Sequence, residues 1–485
     1  MRKVLMLLRK WVFGVILVGL STYLFFFRLD YPENLIFDET YHIPSAQKYL
    51  SGVFFQENHP PLGKLLIAAG ELIFNSDGNH NQLISMNKVD GDVEKIGYFG
   101  YRFFSALFGI GSILLFYLLL STIIKNKVIA GGVSLVASLD NGFLVQSRAA
   151  MLDSFLIFFI LFSLFCSWYL AEKNNNRWQL LLWSTFLGLS IAGAVLIKHT
   201  GLITLLPMIF CLWELRRRGW EVVVCVLALI LTTFSVVYVG VWKTHYQIAD
   251  KVVSENYYET NEEIRAVILD GKGGFWKSTV AQIAEGWKFS ENYNLGVPKL
   301  DLCKVDEIGS PWYYWPMGGR AINFRWEEAG PETYRYIYLM GNPMTWFMSL
   351  LGAIYGTAIT ISMSIGWVKN EKHLTAIGGL TIIYWAYLLT LSTIHRVMYL
   401  YHYFPALFIG LILFALNLES FYERSHYVYK SLVVKIILSV VVLLTIIAFL
   451  AYKPLTYYEP IKNEQFEKLK LLPVWDLKSI GEVDP

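Results

Sequence analysis

A chain of 485 residues with 55% hydrophobic and only 16% charged side chains is too apolar for a water-soluble domain, where about a quarter of residues carry charge. Its net charge of +3, spread along the chain, excludes the basic patch of a nucleic-acid binder. Four cysteines, Cys166, Cys211, Cys225 and Cys303, lack metal-ligand spacing, and three fall inside apolar runs, so neither a zinc site nor a disulfide framework is expected.

Apolar runs of roughly 17–22 residues, long enough to cross a hydrocarbon core of about 30 Å, recur along the chain. They predict spans near 11–27, 101–124, 128–146, 152–170, 178–196, 200–214, 221–242, 346–367, 374–393, 398–416 and 431–451, about eleven in all. The fold class is therefore an all-α integral membrane protein. The first run has basic flanks but no small-residue cleavage site, and reads as a retained span rather than a removed signal. Residues 1–27 form the N-terminal segment and first span, and 28–100 a first long loop. Residues 101–242 hold spans two to seven, 243–344 a second long loop, 345–451 the last four spans, and 452–485 a tail.

Orientation follows from the basic residues. With the N-terminus cytoplasmic, about fifteen lysines and arginines fall at inner ends, among them Lys173, Arg216, Arg217, Arg218 and Lys369. Only Arg148, Lys198 and Arg396 occupy the short outer loops. That bias is the positive-inside signature, and it puts both long loops and the tail outside the cytoplasm. In the first loop two interfacial helices are expected, one starting at Pro61 and running to Phe74. In the second, Gly271-Lys272-Gly273-Gly274 reads as a turn rather than a phosphate loop, because no strand–helix context surrounds it.

With this topology a set of ionisable residues meets the outer face. Asp38, Glu39 and His59 come from the first loop and Arg102 from the start of the second span. Asp140, Arg148 and Asp153 flank the turn after the third. Lys198 and His199 end the fifth, and Arg396 and His402 precede the tenth. Charges at a membrane boundary are costly and are functional candidates by default. Each also has an ordinary explanation: an Arg148–Asp153 structural pair, a snorkelling Lys198, a satisfied buried His402. Together, cations gathered near paired carboxylates suggest a general base beside an anionic lipid headgroup.

The motifs Phe37-Asp38-Glu39, His59-Pro60-Pro61-Leu62-Gly63-Lys64, Arg102-Phe103-Phe104-Ser105-Ala106, Asp140-Asn141 with Gln146-Ser147-Arg148, Leu152-Asp153-Ser154, Lys198 with Gly201, and His402-Tyr403-Phe404-Pro405-Ala406 occur in an order that resembles the protein O-mannosyltransferase family. These are membrane glycosyltransferases of the GT-C class. Trp312, within Ser310-Pro311-Trp312-Tyr313-Tyr314-Trp315-Pro316, resembles the tryptophan-rich segment of bacterial members. The second loop is too short to hold the β-trefoil domain of eukaryotic members beside its linking segments.

The resemblance implies an inverting transfer of mannose from a polyprenyl-phosphate-mannose donor to Ser/Thr hydroxyls of a translocated protein, at the outer face of the cell membrane, with the secretion translocon as a candidate partner. It implies Asp38 as general base. Glu39, whose direction differs by about 100° from its neighbour's on a helix, positions the loop or a donor hydroxyl. Arg102, with Lys198, Arg148 or Arg396, holds the leaving phosphate. His59, Asp153, His199, His402 and Trp312 are further site candidates. No obligatory metal or other cofactor is expected. The alternatives are the same fold acting on a lipid or cell-wall glycan, and a secondary transporter, for which charges at the bilayer midplane and paired repeats would be needed.

Overall fold

The structure, a computed structural model, describes residues 2–75, 97–172, 176–248, 262–305, 307–368, 372–424 and 429–479. Lys173, Lys369 and the stretch 76–96 of the first loop lie outside the described residues. The chain divides into two compact units. One comprises Met1–Phe27, Gly109–Gln146 and Lys299–Pro485, the other Arg28–Phe108 and Ser147–Pro298.

Helix α1 (Arg2–Phe26) leads to α2 (Glu39–Ser51) and α3 (Leu62–Phe74), the two helices expected in the first loop. Gly52, left-handed at φ 71°, ends α2 and donates back to its last carbonyls. Then follow α4 (Phe99–Ile123), α5 (Lys127–Ser138), α6 (Asn141–Arg148), α7 (Asp153–Ala171) and α8 (Arg177–Ile197), the last entered through an Asn176/Gln179 capping box. A 3-10 turn over His199–Thr204 leads to α9 (Leu205–Leu215), α10 (Trp220–Ile248), α11 (Glu262–Ile268) and α12 (Gly274–Gly296). Helices α13 (Pro343–Ser364), α14 (Lys372–Ser392), α15 (Phe404–Arg424) and α16 (Lys430–Tyr457) follow, and α17 (Asn463–Glu467) comes last.

Among the described residues, eight helices are long and apolar enough to cross a membrane, and a ninth span is possible if the bent pair α5–α6 counts as one. This is a multi-pass membrane protein. The expected third span, 128–146, is bent by 58°. Asp140 makes the break: its carboxylate accepts from Phe143 N at 2.7 Å, capping α6, and from Asn342 N and Trp346 Nε1 at 2.9 Å each. With both oxygens engaged and 1% exposure, Asp140 is a structural cap and not part of a substrate site. The expected sixth span is the eleven-residue helix α9, and Val12–Phe26 is the apolar part of α1.

The unit containing α13–α16 also carries a sheet that composition did not foretell. Strands β1 (Ile322–Gly330) and β2 (Thr333–Leu339) pair antiparallel, and β3 (Pro460–Lys462) adds to β2. Alternating Tyr334, Tyr336 and Tyr338 on β2 supply one face, and Tyr336 and Tyr338 pack with Ile461, Phe466 and Trp475 from the tail. In the other unit α7, α8, α9 and α10 bury a shared apolar core around Leu187, Ile191 and Ile230.

Candidate active site

The site is built in the unit of Arg28–Phe108 and Ser147–Pro298. Phe37 adopts a left-handed φ of 45°, which turns the chain into α2 with Asp38 at its N-cap. The next residue, Glu39, is fully buried, and its carboxylate organises three segments. It accepts from Ile36 N at 2.9 Å, from Ala150 N at 2.8 Å, and from Arg102 Nε and Nη2 at 2.8 and 2.9 Å. Arg102, also 0% exposed, gives its remaining N–H groups to the carbonyls of Leu29, Asp30, Pro32 and Asn34 at 2.8–3.2 Å.

That arrangement corrects one expectation and narrows another. A guanidinium has five N–H donors, and all five of Arg102's are engaged by this chain, so Arg102 folds the loop rather than binding a donor phosphate. Glu39 is likewise sealed from any substrate. Of the two roles weighed for it, loop positioning is the one its geometry serves.

Asp38 differs from its neighbour in every respect. It is half-buried, and among the described residues no group hydrogen-bonds its carboxylate. Burial pushes its pKa up to about 6, against the pull of Lys198 and Lys64, while Asp153 and Glu57 add to the rise. Two ion pairs supply those charges. Lys198 Nζ donates to Asp153 Oδ1 at 2.7 Å, and buried Lys64 lies 3.2 Å from Glu57 Oε2. Ser45 donates to the other Glu57 oxygen. Burial pulls Lys64 below the usual lysine range, with Glu57 opposing. Burial works the other way on Glu57, yet Lys64 and Ser45 hold it below the ordinary carboxylate value.

Close backbone approaches position these pairs. A Cβ on Gly63 would sit 2.5 Å from Leu152, so glycine lets α3 pass against the turn that carries Asp153. A Cβ on Gly201 would come within 2.3 Å of the Ala194 carbonyl, so glycine lets the chain fold back after Lys198. His42 Nδ1 donates to Ala150 O at 2.8 Å, and burial lowers its pKa to about 3, so the ring is neutral with Nδ1 protonated.

The other expected residues divide between the units. Arg148 is buried and reaches the Arg28 carbonyl at 3.2 Å. His59 is half-buried between Glu57 and Lys64 along the chain. His199 packs against Trp287 with ring centroids 4.2 Å apart and tilted by 34°, and burial lowers its pKa to about 4. Trp312, Arg396 and His402 belong to the other unit. There His402 is buried, its ring meets the Tyr399 carbonyl at 3.0 Å and its face stacks on Trp315. Glu57 was not singled out from sequence, because a lone acid in a loop reads as solvated; its closeness to the His59–Lys64 motif was the available signal. Lys64 stood within that motif without an assigned role.

The fold is that of a GT-C membrane glycosyltransferase. It superposes on the Saccharomyces cerevisiae protein O-mannosyltransferase Pmt1-Pmt2 complex bound to the sugar donor with a TM-score of 0.79, at 16% identity, over 98% of this chain and 94% of that one. The apo oligosaccharyltransferase of Archaeoglobus fulgidus matches at 0.52, with 11% identity over 96% of this chain and 60% of that one. Two family profiles match the sequence: dolichyl-phosphate-mannose-protein mannosyltransferase over residues 15–248, and the C-terminal four-transmembrane region of protein O-mannosyltransferase over residues 287–475. The chain belongs to the protein O-mannosyltransferase family. Among its relatives, dolichyl-phosphate-mannose–protein mannosyltransferase 1 of Candida albicans is 27% identical over 255 residues, half of this chain and 28% of that protein. Protein O-mannosyl-transferase 1 of Rattus norvegicus is 30% identical over 198 residues, 39% of this chain and 25% of that protein. The matched segments thus span about a quarter of the length of these relatives.

Proposed function

We propose that this protein is an inverting glycosyltransferase that moves mannose from a polyprenyl-phosphate-mannose donor to Ser/Thr hydroxyls of translocated proteins. The observation that carries the reading is Asp38: a half-buried carboxylate that no described residue hydrogen-bonds, with a pKa raised to about 6, between the cations Lys198 and Lys64. A general base works best when its pKa lies near the working pH. In this reading the acceptor oxygen attacks the anomeric carbon as its proton passes to Asp38. The bond from that carbon to the phosphate oxygen breaks, and polyprenyl phosphate leaves. Since Arg102 is engaged by the loop, the ammonium groups of Lys198 and Lys64 meet the charge developing on the phosphate, as preorganised cations in a poorly hydrated site do. Arg148 stands near the same turn as a further candidate.

The orientation that fits is N-terminus cytoplasmic, site extracytoplasmic, in the cell membrane, with acceptors arriving as they leave the secretion translocon. The basic-residue bias supports it. Two lysines supply the positive charge a metal would otherwise bring, so transfer should persist in a chelator.

The test is transfer of radiolabelled mannose from polyprenyl phosphate to a Ser/Thr peptide by the purified protein in liposomes. Asp38→Asn should cut the rate by about 10²–10⁴, the usual loss of a general base, while donor binding persists. Near-normal transfer by that variant would remove Asp38 from the chemistry. Transfer to lipid but not to peptide would replace the acceptor.

A further inference from the structure

Helix α12 is built inside out. Ser278, Thr279, Gln282, Gly286 and Ser290 are buried, small or polar residues that an isolated soluble helix would turn to water. A stripe of its apolar residues points outward: Trp276 is 74% and Val280 65% exposed, and Ala284 and Trp287 continue the stripe at spacings of four and three. Glu291 ends the stripe one turn on, and Lys277 and Lys288 flank it on the side away from the protein. Helical geometry therefore divides α12 into three faces, one protein-facing, one apolar and one charged.

Its neighbours identify what covers the apolar face. α12 packs along the final turns of α10. Lys243 Nζ donates to Ser278 Oγ at 2.8 Å, Tyr246 donates to the Gln282 carbonyl at 3.1 Å, and Trp287 Nε1 donates to Tyr238 at 2.7 Å. A Cβ on Gly286 would lie 2.2 Å from the Trp242 ring, so the two helices are in tight register. Protein covers only 17% of the most apolar stretch of α10, so this span presents its outer surface to lipid, and the stripe of α12 continues that surface at the end of the span. Tryptophan rings at the end of a span, with lysines beside them, are what a helix at the headgroup level presents.

We infer that α12 is an in-plane membrane-interface helix, with Trp276, Val280, Ala284 and Trp287 seated in the bilayer and Lys277 and Lys288 at the phosphates. The helix is also tied to the candidate site: Ser290 Oγ donates to Asn58 O at 2.7 Å, and the Trp287 ring packs against His199. It thus gives that side of the site a lipid-facing wall. This inference stands whether or not Asp38 is the base.

The test uses the full-length protein with Cys225→Ser and Cys303→Ser, carrying a spin label at Val280→Cys, Ala284→Cys or Lys288→Cys, in phosphatidylcholine–phosphatidylglycerol liposomes. Collision with oxygen, which concentrates in lipid, is compared with collision with a water-soluble nickel chelate. Labels at 280 and 284 should favour oxygen severalfold over the label at 288, which should favour nickel. Equal nickel access at all three positions would place the face in water, and protection from both reagents at 280 and 284 would mean that protein covers it. Either result overturns the inference. Because 280 and 284 are both exposed, one position remains informative if the other perturbs folding.

Discussion

The Arg102 clasp makes a sharp prediction about Arg102→Lys, a substitution that keeps the charge. The guanidinium reaches six acceptor atoms, two on Glu39 and four backbone carbonyls. An ammonium has three N–H groups where the guanidinium has five, and it cannot span the paired geometry. At least two donors are lost, and the carbonyls of residues 29–34 lose partners inside the protein. A buried acceptor left unsatisfied costs about 1–3 kcal/mol, so the variant should lose about 2–6 kcal/mol. Arg102→Ala, which strands the buried Glu39 carboxylate, should lose at least the about 3–5 kcal/mol of a broken buried pair. The assay is the thermal unfolding midpoint in detergent, read beside donor KM well below that midpoint. The clasp requires a lower midpoint with donor KM near wild type. A wild-type midpoint with a raised donor KM would refute the reasoning and return Arg102 to the donor phosphate.

Transfer should fall about tenfold per unit as pH drops below about 6, because the base acts only when deprotonated; a rate flat to pH 4.5 would exclude Asp38. The same group bears on stability with a definite sign. Its folded value lies above the ordinary 3.8, so the folded chain holds a proton that the unfolded chain releases between about pH 4 and 6, and its contribution to stability declines as pH rises through that window. Asp38→Asn should therefore keep or raise the unfolding midpoint at pH 7. Gly201→Ala puts a methyl against the Ala194 carbonyl, which cannot move aside, so it should cost about 1–3 kcal/mol and displace Lys198, lowering transfer; Gly240→Ala, with nothing within 4 Å of its new methyl, is the neutral control.

Much of this was legible because membrane proteins announce their spans. Hydrophobic length located nearly every long helix, and the loops between them carried the charges that gather around Asp38. What a linear reading could not supply was the destination of individual donors. Arg102 stands among phenylalanines at a span end and looks like a headgroup ligand, yet its acceptors are backbone carbonyls of an irregular stretch, which no side-chain pattern reveals. The break at Asp140 was hidden for a similar reason: its partners, Asn342 and Trp346, lie two hundred residues downstream. The sheet was different. The alternation of Tyr334, Tyr336 and Tyr338 was present in the letters and was obscured by the mixed polarity around it.

The contacts that tie chain segments together also count membrane crossings, with no reference to which compartment is which. Two groups that touch lie on one side of a bilayer, so an even number of crossings must separate them. Glu39 holds Ala150, and among the described helices α4 and the bent pair α5–α6 lie between, so an even count asks the bent pair to cross once. Asp153 holds Lys198 across α7 and α8. His199 meets Ser290 at 3.4 Å with the 199–215 stretch and α10 between them among the described residues, and an even count there asks that short stretch to cross as well. Thr333 pairs with Lys462 across α13 to α16. Tyr457 donates to the Leu24 carbonyl at 2.9 Å, which closes the loop from the end of the first crossing to the end of the last. Each of these contacts is met when the short α9 and the broken α5–α6 are each taken as one crossing, which length and composition alone do not decide.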